Sequence, residues 1–509
     1  MKKTSGKEKE EVVSEALKAE EKLKSEWSIL DTSGKLHPLK VKDSKVVGFD
    51  FAQHPNLLKL AQYEMAKQRV YEKEPPHIQL MRKLEMVDFE KGSDPGNLRY
   101  YPNGRFVKKL LETFVSNKVV EYGGMEMESP IMYDYDHPAL KSYLHRFPAR
   151  QYIVESLKRK FFLRFSACFG QFLQFHDMNI SYRNLPTRLY ELTRYSFRLE
   201  QSGELTGLKR LRAFTMPDCH ALVKDFAQGK EEMLRRFKLA QEVMSGAGFK
   251  LPDDFELAIR VVRTFYDEHK EIPNELVKRY GKPALVEMWN ERFFYFAMKY
   301  EWNFIDAMDK ASGLATDQFD VENGERFNIN FIDEDGKKKH PIILHLSPSG
   351  AIERVIYALL EKAWMDEQKT GKAPMLPVWL SPEQVRLLPV ADRHLDHVRK
   401  LADQLNNANI RTGIDDRSLT ISKKVYQAKM DWIPYIIVVG DKEQSGKTIP
   451  VVVREESKTN KDNLVSMSVE ELKSRIRTEA AGKPHFAPNL PRELSLRPVF
   501  VAWSEEEKK

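Results

Sequence analysis

Apolar positions recur every three to four residues in three stretches: Arg105 to Phe114, the segment FAQGKEEMLRRFKLAQEVMSGAGF, and AIERVIYALLEKAW. In the last, Ile352, Val355, Ile356, Leu359, Leu360 and Trp364 fall on one face. Such a stripe predicts an amphipathic helix laid on a core. The second stretch closes on Gly246 and Gly248, residues suited to the left-handed turn that ends a helix. A different pattern runs from Leu185 to His220. Two segments rich in aromatic, β-branched and long apolar residues flank the polar turn QSGELTGLK, and its two glycines admit backbone angles that other residues resist. This predicts an antiparallel hairpin. A helix-rich stretch is expected to about Tyr300, followed by short strands at WNFID, ATDQFDV, RFNINFID and PIILHLS.

Punctuation divides the chain. Lys7 to Glu26 alternates Lys and Glu with a thin apolar stripe, the pattern of a charged surface helix or a disordered arm. Trp27 to about Pro75 holds short apolar runs (VVGFDF, NLLKLAQYEM) that suit a small strand-plus-helix module. Pro75 and Pro76 mark a boundary, and GKAPMLPVWL, with Gly371, Pro374 and Pro377, marks an inter-domain joint. Beyond it strand-like and helix-like segments alternate from VRLLPVA to TIPVVVR, which indicates an α/β domain with a largely parallel sheet. The expected units are 1–75, 76–372, 373–486 and a tail, 487–509, that predicts nothing.

Composition narrows the class. A chain of 509 residues exceeds one core, and 41% hydrophobic content suffices to bury two or three. Lys and Arg number 82 against 75 Asp and Glu, so the net charge of +7 permits a polyanionic partner without demanding one. Two cysteines, Cys168 and Cys219, are too few for a disulfide framework and suit a reducing cytoplasm. No apolar run approaches the roughly 18 residues of a membrane span. The N-terminus lacks the apolar core of a signal peptide, and its glutamates argue against a transit peptide.

Charge sits where a plain hairpin needs none. Arg198 and Glu200 close the first strand and share a face; Arg210 and Arg212 open the second and share another. A guanidinium can grip a phosphate bidentately and a carboxylate can accept from an exocyclic amine, as holding a purine nucleotide requires. A solvated charge ladder fits the same spacing. FRLE, the glycine-containing loop, RLRAF and the following Cys-His pair resemble motif 2 of class II aminoacyl-tRNA synthetases, in the form of the threonyl-tRNA synthetases. VVEYGGMEMESPIMYDYD resembles motif 1, a long helix and a strand ending in proline, here Pro130, which in the family builds a dimer interface. HLSPSG followed by Arg354 resembles motif 3. Arginine in a first helical turn opposes the helix dipole and calls for a partner, which in the family is the triphosphate of ATP. GDKE before a strand ending at Arg454 resembles the family's anticodon-binding domain.

The resemblance, which covers roughly residues 76 to 486, implies an α+β catalytic domain on a mainly antiparallel sheet, then a smaller α/β anticodon-binding domain. It implies a homodimer that activates threonine with ATP and Mg2+ and transfers it to tRNA(Thr). By it, Arg198 holds the α-phosphate, Glu200 reads the adenine amine, Phe214 stacks on the ring, and Arg210 and Arg354 take the distal phosphates. Gln318 lies near the ribose and phosphate, Asp218 orients the substrate amine, His137 is a candidate proton relay, and Glu443 and Arg454 read anticodon bases. Ser418 and Trp432 depart from the bacterial pattern of anticodon readers. Cys168, His220 and His345 match the ligands of a catalytic Zn2+, although their wide spacing alone reads as three core residues. Cys219 is expected to face away from His220. An apolar pocket separates threonine from valine only about 100-fold, whereas a metal contacting the hydroxyl penalises valine far more.

Serine keeps that hydroxyl. With about 75 mostly charged residues ahead of the catalytic unit and no His cluster among them, the expectation is an archaeal-type form without its own hydrolysis of seryl-tRNA, served by a separate editing protein. Two alternatives stand. A prolyl or seryl class II enzyme would keep motifs 1 to 3 without needing Cys168, His220 and His345. A non-catalytic paralogue that binds tRNA would tend to lose the nucleotide arginines, which are present here.

Overall fold

The computed structural model describes residues 25–66, 73–144 and 151–500. Its centre is a ten-stranded sheet. In chain order the strands are β1 (Ser25–Leu30), β2 (Leu36–Pro38), β3 (Met125–Glu126), β4 (Thr187–Phe197), β5 (Ala213–Val223), β6 (Glu256–Val262), β7 (Ala284–Trp289), β8 (Phe296–Ile305), β9 (Ala311–Asp320) and β10 (Ile342–Leu346). They lie side by side as β2-β1-β7-β6-β8-β9-β10-β5-β4-β3. Most pairs are antiparallel; β6 with β7 and β3 with β4 are parallel. The main helices are α1 (Pro55–Ala66), α2 (Pro102–Tyr122), α3 (Cys168–His176), α4 (Phe226–Ala247) and α5 (Ile352–Thr370).

The hairpin expected at Leu185 to His220 is β4 with β5, two strands of 11 residues. Alternation puts Phe214, Met216, Asp218 and His220 on one face of β5 and the fully buried Cys219 on the other. Helix α4 covers that second face, and its Arg236 reaches the Cys219 carbonyl at 2.8 Å. The helices α2, α4 and α5 form where the periodicity puts them, and α2 and α4 end on left-handed Gly123 and Gly248. Gly350, before α5, has φ +67°, and a Cβ there would meet the Leu314 carbonyl oxygen at 2.4 Å. The turn into α5 therefore requires glycine.

Three expectations are corrected. The stretch before Tyr300 is not mainly helical: ELAIRVV and ALVEMW are β-branched and apolar runs that form β6 and β7, and the helices Arg263–His269 and Glu271–Tyr280 supply the crossover a parallel pair requires. RFNINFID is not one strand, because Asp320 Oδ1 accepts from the amides of Glu322 and Asn323, both at 2.9 Å, and starts a helical turn at Asn323–Arg326. The strand-plus-helix segment before Pro75 is not separate from the catalytic sheet: β1 pairs antiparallel with β7, and Ile29 and Leu30 are fully buried there. Arg260 on β6 bonds Glu64 of α1 at 2.7 Å and Glu287 of β7 at 3.0 Å, and it also pairs with Glu301 of β8. The charged arm read at Lys7 to Glu26 lies almost entirely outside the described residues.

The second domain has its own core. Its strands are β11 (Val385–Pro389), β12 (Thr412–Ile414), β13 (Tyr435–Val439), β14 (Ile449–Val453) and β15 (Leu464–Met467), in the order β12-β11-β13-β14-β15. The first three are parallel, but β14 and β15 are antiparallel, so the sheet is mixed rather than largely parallel. The link from β13 to β14 is too short for a crossover. Helices α6 (Leu395–Asn406), α7 (Ile421–Met430) and α8 (Val469–Glu479) pack on it. The tail that predicted nothing acts as a strap: Asn489 donates to the Pro102 carbonyl at 2.8 Å and Arg497 pairs with Glu383 at 2.8 Å. Among the described residues no helix is long and apolar enough to cross a membrane.

Candidate active site

Antiparallel pairing of β5 with β10 places His220 directly opposite His345, and the N-terminus of α3 brings Cys168 over both. Residues far apart in sequence thus converge. Cys168 Sγ lies 3.2 Å from His220 Nε2 and 3.7 Å from His345 Nδ1, and the two nitrogens are 3.1 Å apart. A tetrahedral zinc with bonds of about 2.0–2.3 Å needs N···N near ~3.3 Å and N···S near ~3.6 Å, so the donor set fits that ion within a few tenths of an ångström. All three side chains are buried.

Each ligand is steered from behind. His220 Nδ1 bonds Gln171 Oε1 at 2.7 Å, His345 Nε2 bonds Asp320 Oδ2 at 2.8 Å, and Ser166 Oγ donates to Cys168 Sγ at 2.9 Å. With both outer nitrogens donating, the lone pairs of His220 Nε2 and His345 Nδ1 point inward. Burial keeps His220 neutral, its pKa pushed well below the usual value. Burial opposes charge on His345 too, but Asp320 and Cys168 overcome it and raise that pKa to about 10. The cluster therefore favours one added positive charge, which a proton or a metal cation can supply.

The same cavity, of about 200 Å³, is lined by Arg198, Glu200, Phe214, Asp218, Gln318 and Arg354 as well as by Cys168, His220 and His345. Arg354, in the first turn of α5, finds neutral partners: Nε donates to the Lys209 carbonyl at 2.9 Å and Nη1 to that of Gly313 at 3.1 Å. Burial first, then Arg198, lower its pKa, against the opposing pull of the Glu200 carboxylate. Two guanidiniums on one cavity call for an anion. Asp218, pushed up to about 6 by burial, accepts from the Ala167 amide at 3.3 Å. Gln318 accepts from the Tyr295 hydroxyl at 2.8 Å.

Not every expected residue joins them. Arg210 does not line the cavity: it grips Glu200 Oε2 at 2.9 and 3.1 Å and Glu204 at 3.0 Å, so in this structure it orients the carboxylate rather than facing a phosphate. His137 is exposed and lies off the cavity. In the second domain Glu443 caps its own helix by accepting from the Gly440 amide at 2.9 Å. Arg454 is buried against the joint, donating to the Pro374 carbonyl at 2.7 Å, with burial lowering its pKa to about 10. In this structure the guanidinium expected to read an anticodon base is thus held at the inter-domain joint through its Nε.

Sequence reasoning missed the supports. Glu353, next to Arg354, is buried between Lys108 Nζ of α2, at 2.6 Å, and the Thr215 amide of β5, at 2.9 Å, tying the three motif segments together. Lys209 Nζ bonds Asp306 at 2.8 Å, which fixes the carbonyl that receives Arg354. Gln171 is three residues past Cys168 on the same helical face, a spacing the sequence does display.

Comparison with known proteins agrees with this geometry. Residues 152–363 match the class II core domain of tRNA synthetases (G, H, P, S and T), and residues 384–479 match an anticodon binding domain. A threonine-tRNA ligase of Methanosarcina acetivorans is 54% identical over 97% of this chain and 76% of its own length. One from Pyrococcus furiosus is 55% identical over 97% and 77%. Among solved structures, a threonyl-tRNA synthetase RNA binding domain from Cryptosporidium parvum has a TM-score of 0.68 at 23% identity, covering 81% of this chain and 99% of its own. A Giardia lamblia prolyl-tRNA synthetase in complex with prolyl-adenylate scores 0.61 at 17% identity, covering 79% of each. The latter two speak for the fold, the former two for the specificity: the chain belongs to the threonine-tRNA ligase family of class II aminoacyl-tRNA synthetases.

Proposed function

We propose that the cavity activates threonine on ATP and delivers it to tRNA(Thr) by the following division of labour. Threonine's carboxylate attacks the α-phosphorus of ATP in line, forming threonyl-adenylate as pyrophosphate leaves; the 3'-terminal ribose hydroxyl of tRNA then attacks the acyl carbon and AMP departs. Such transfers depend on positioning and charge neutralisation more than on an acid-base pair. Arg198 faces the α-phosphate and Arg354 the outer phosphates, with Mg2+ entering alongside ATP. Glu200, oriented by Arg210, accepts from the adenine amine, Phe214 stacks on the ring, and Gln318 holds the adenylate. Asp218, ionised, accepts from the substrate ammonium. Cys168, His220 and His345 would hold zinc, which when bound supplies Lewis-acid contacts that a hydroxyl-bearing amino acid can satisfy and valine cannot.

The observation that carries this is one cavity lined at once by the nucleotide residues and by the buried Cys-His-His cluster. A prolyl or seryl enzyme has no use for this cluster in threonine's place. Serine differs by one methyl, worth only about 1–3 kcal/mol, so seryl-tRNA must be removed by an activity outside this cavity, which we place on a separate protein. Exposed Val120 at the end of α2, Met125 in β3, and Ile131 and Met132 just after Pro130 supply apolar surface for a homodimer. Two buried, unpaired cysteines suit the cytoplasm.

The test is pyrophosphate exchange with threonine, serine, valine and proline on the purified protein, before and after chelation. Threonine-dependent exchange that vanishes with the metal and returns with zinc is expected. Exchange with proline, or exchange indifferent to chelation, would overturn the assignment.

A further inference from the structure

A second cavity, of about 360 Å³, opens at the joint between the domains, away from the active site. It is lined by Arg411, by Arg477 from α8 and by Lys483, together with Asn407 and Asn409 after α6. Among the described residues, no aspartate or glutamate lines it.

Arg411 and Lys483 are held by neutral groups. Arg411 is 2% exposed, and its Nε and Nη2 donate to the carbonyls of Ser381 and Trp379 at 3.0 and 2.8 Å, while Nη1 has only a 3.5 Å approach to His485 Nδ1. Lys483 donates to the Gly246 carbonyl at 2.8 Å and stands over the rings of Phe114 and Trp379, 4.0 and 5.3 Å from their centroids. A buried cation costs free energy unless an anion balances it. The C-termini of α6 and α8 lie beside the cavity, but each offers only about half a negative charge. The two desolvated cations, Arg411 and Lys483, outweigh them, with the exposed Arg477 alongside. Burial lowers the pKa of Arg411 to about 10, and burial reinforced by Lys118 lowers that of Lys483 to about 8, the sign of positive groups without a counter-charge.

We infer that this joint cavity is a phosphate site that takes a backbone phosphodiester of the bound tRNA. Guanidinium, ammonium and side-chain amides are the donors that hold a phosphate. Most of the cavity's lining, from Gln384 to Arg477, belongs to the domain that matches an anticodon-binding unit. The whole lining, from Trp379 to His485, comes from the joint and the second domain, and Lys483 also reaches the Gly246 carbonyl of α4 and the Phe114 ring of α2. A phosphate bound here therefore sits against the segment where the two domains meet.

The experiment compares the unaltered protein with Arg477→Gln/Lys483→Gln in tRNA(Thr) binding across a range of NaCl concentrations. The double variant is expected to bind several-fold more weakly, with a slope of log K against log [salt] shallower by about 0.7–0.9 for each phosphate no longer neutralised. Threonine-dependent pyrophosphate exchange without tRNA stays unchanged and shows that the fold is intact. Equal affinity and equal slope would overturn the proposal. Acylation of Lys483 by an amine reagent supplies a second readout on the unaltered chain. Protection by tRNA supports the site; protection by inorganic phosphate at matched ionic strength but not by tRNA would reassign it to a free anion and remove the RNA from the proposal.

Discussion

His345 donates through Nε2 to Asp320 Oδ2 at 2.8 Å, and that one bond decides which ring nitrogen faces Cys168 and His220. Asp320→Asn keeps the shape but removes the charge that raises the basicity of the ligand. Zinc affinity, measured by competition with a chelator, should fall about 10- to 100-fold. Gln171→Leu should act in the same direction through His220. Unchanged affinity in both would mean the tautomers are set elsewhere.

Arg354 and Arg210 should fail differently. Arg354→Ala removes a charge that neutralises the reacting triphosphate, and threonine-dependent exchange should drop about 10²- to 10³-fold in kcat. Arg210→Ala frees Glu200, which Arg210 grips at 2.9 Å, so KM for ATP should rise while kcat stays within a few-fold. A collapse of kcat in the Arg210 variant would show that its side chain turns toward the phosphates during reaction.

What the sequence disclosed divides along physical lines. Periodicity exposed α2, α4, α5 and the β4–β5 hairpin because each buries one face over many residues. It misread 256–300 because short, two-sided strands beside short helices leave no sustained period. The first 75 residues looked separate because strand pairing across more than 250 residues, such as Ile29 with Leu285, leaves no local trace. The metal cluster was invisible to spacing for the same reason: His220 and His345 are neighbours only through the β5–β10 register. Arg210 and Arg454 show the other limit, since motif position told which residues carry charge but not which carboxylate or carbonyl would claim it.

Arg236 and Asp317 form a fully buried pair behind β5, with contacts at 2.8 and 3.1 Å. Arg236→Met leaves Asp317 without its partner and removes the Arg236 donor to the Cys219 carbonyl. The loss should be about 3–5 kcal/mol in denaturant unfolding. Replacing both residues with apolar ones of similar volume should recover much of it.

The Arg260 hub makes the attachment of the N-terminal strands sensitive to acid. Glu301 is buried; burial alone would raise its pKa, but Lys299 and Arg260 together bring it down to about 2. Its folded value thus lies below the unfolded value near 4.5. A carboxylate so depressed contributes stability fully above pH ~4.5 and loses it as the pH falls toward ~2, where the folded form must also take up a proton. The amount at stake is at most about 3 kcal/mol. Because Arg260 also holds Glu64 of α1 and Glu287 of β7, the strands and helix ahead of residue 67 should lose amide protection in this window. Hydrogen exchange between pH ~5 and ~3, corrected for intrinsic rates, measures it. Arg260→Gln should shrink the acid step by removing one of the two cations that depress Glu301, and it should weaken the segment already at neutral pH. An acid step of undiminished size in that variant would mean that Lys299, 2.7 Å from Glu301, carries the effect alone.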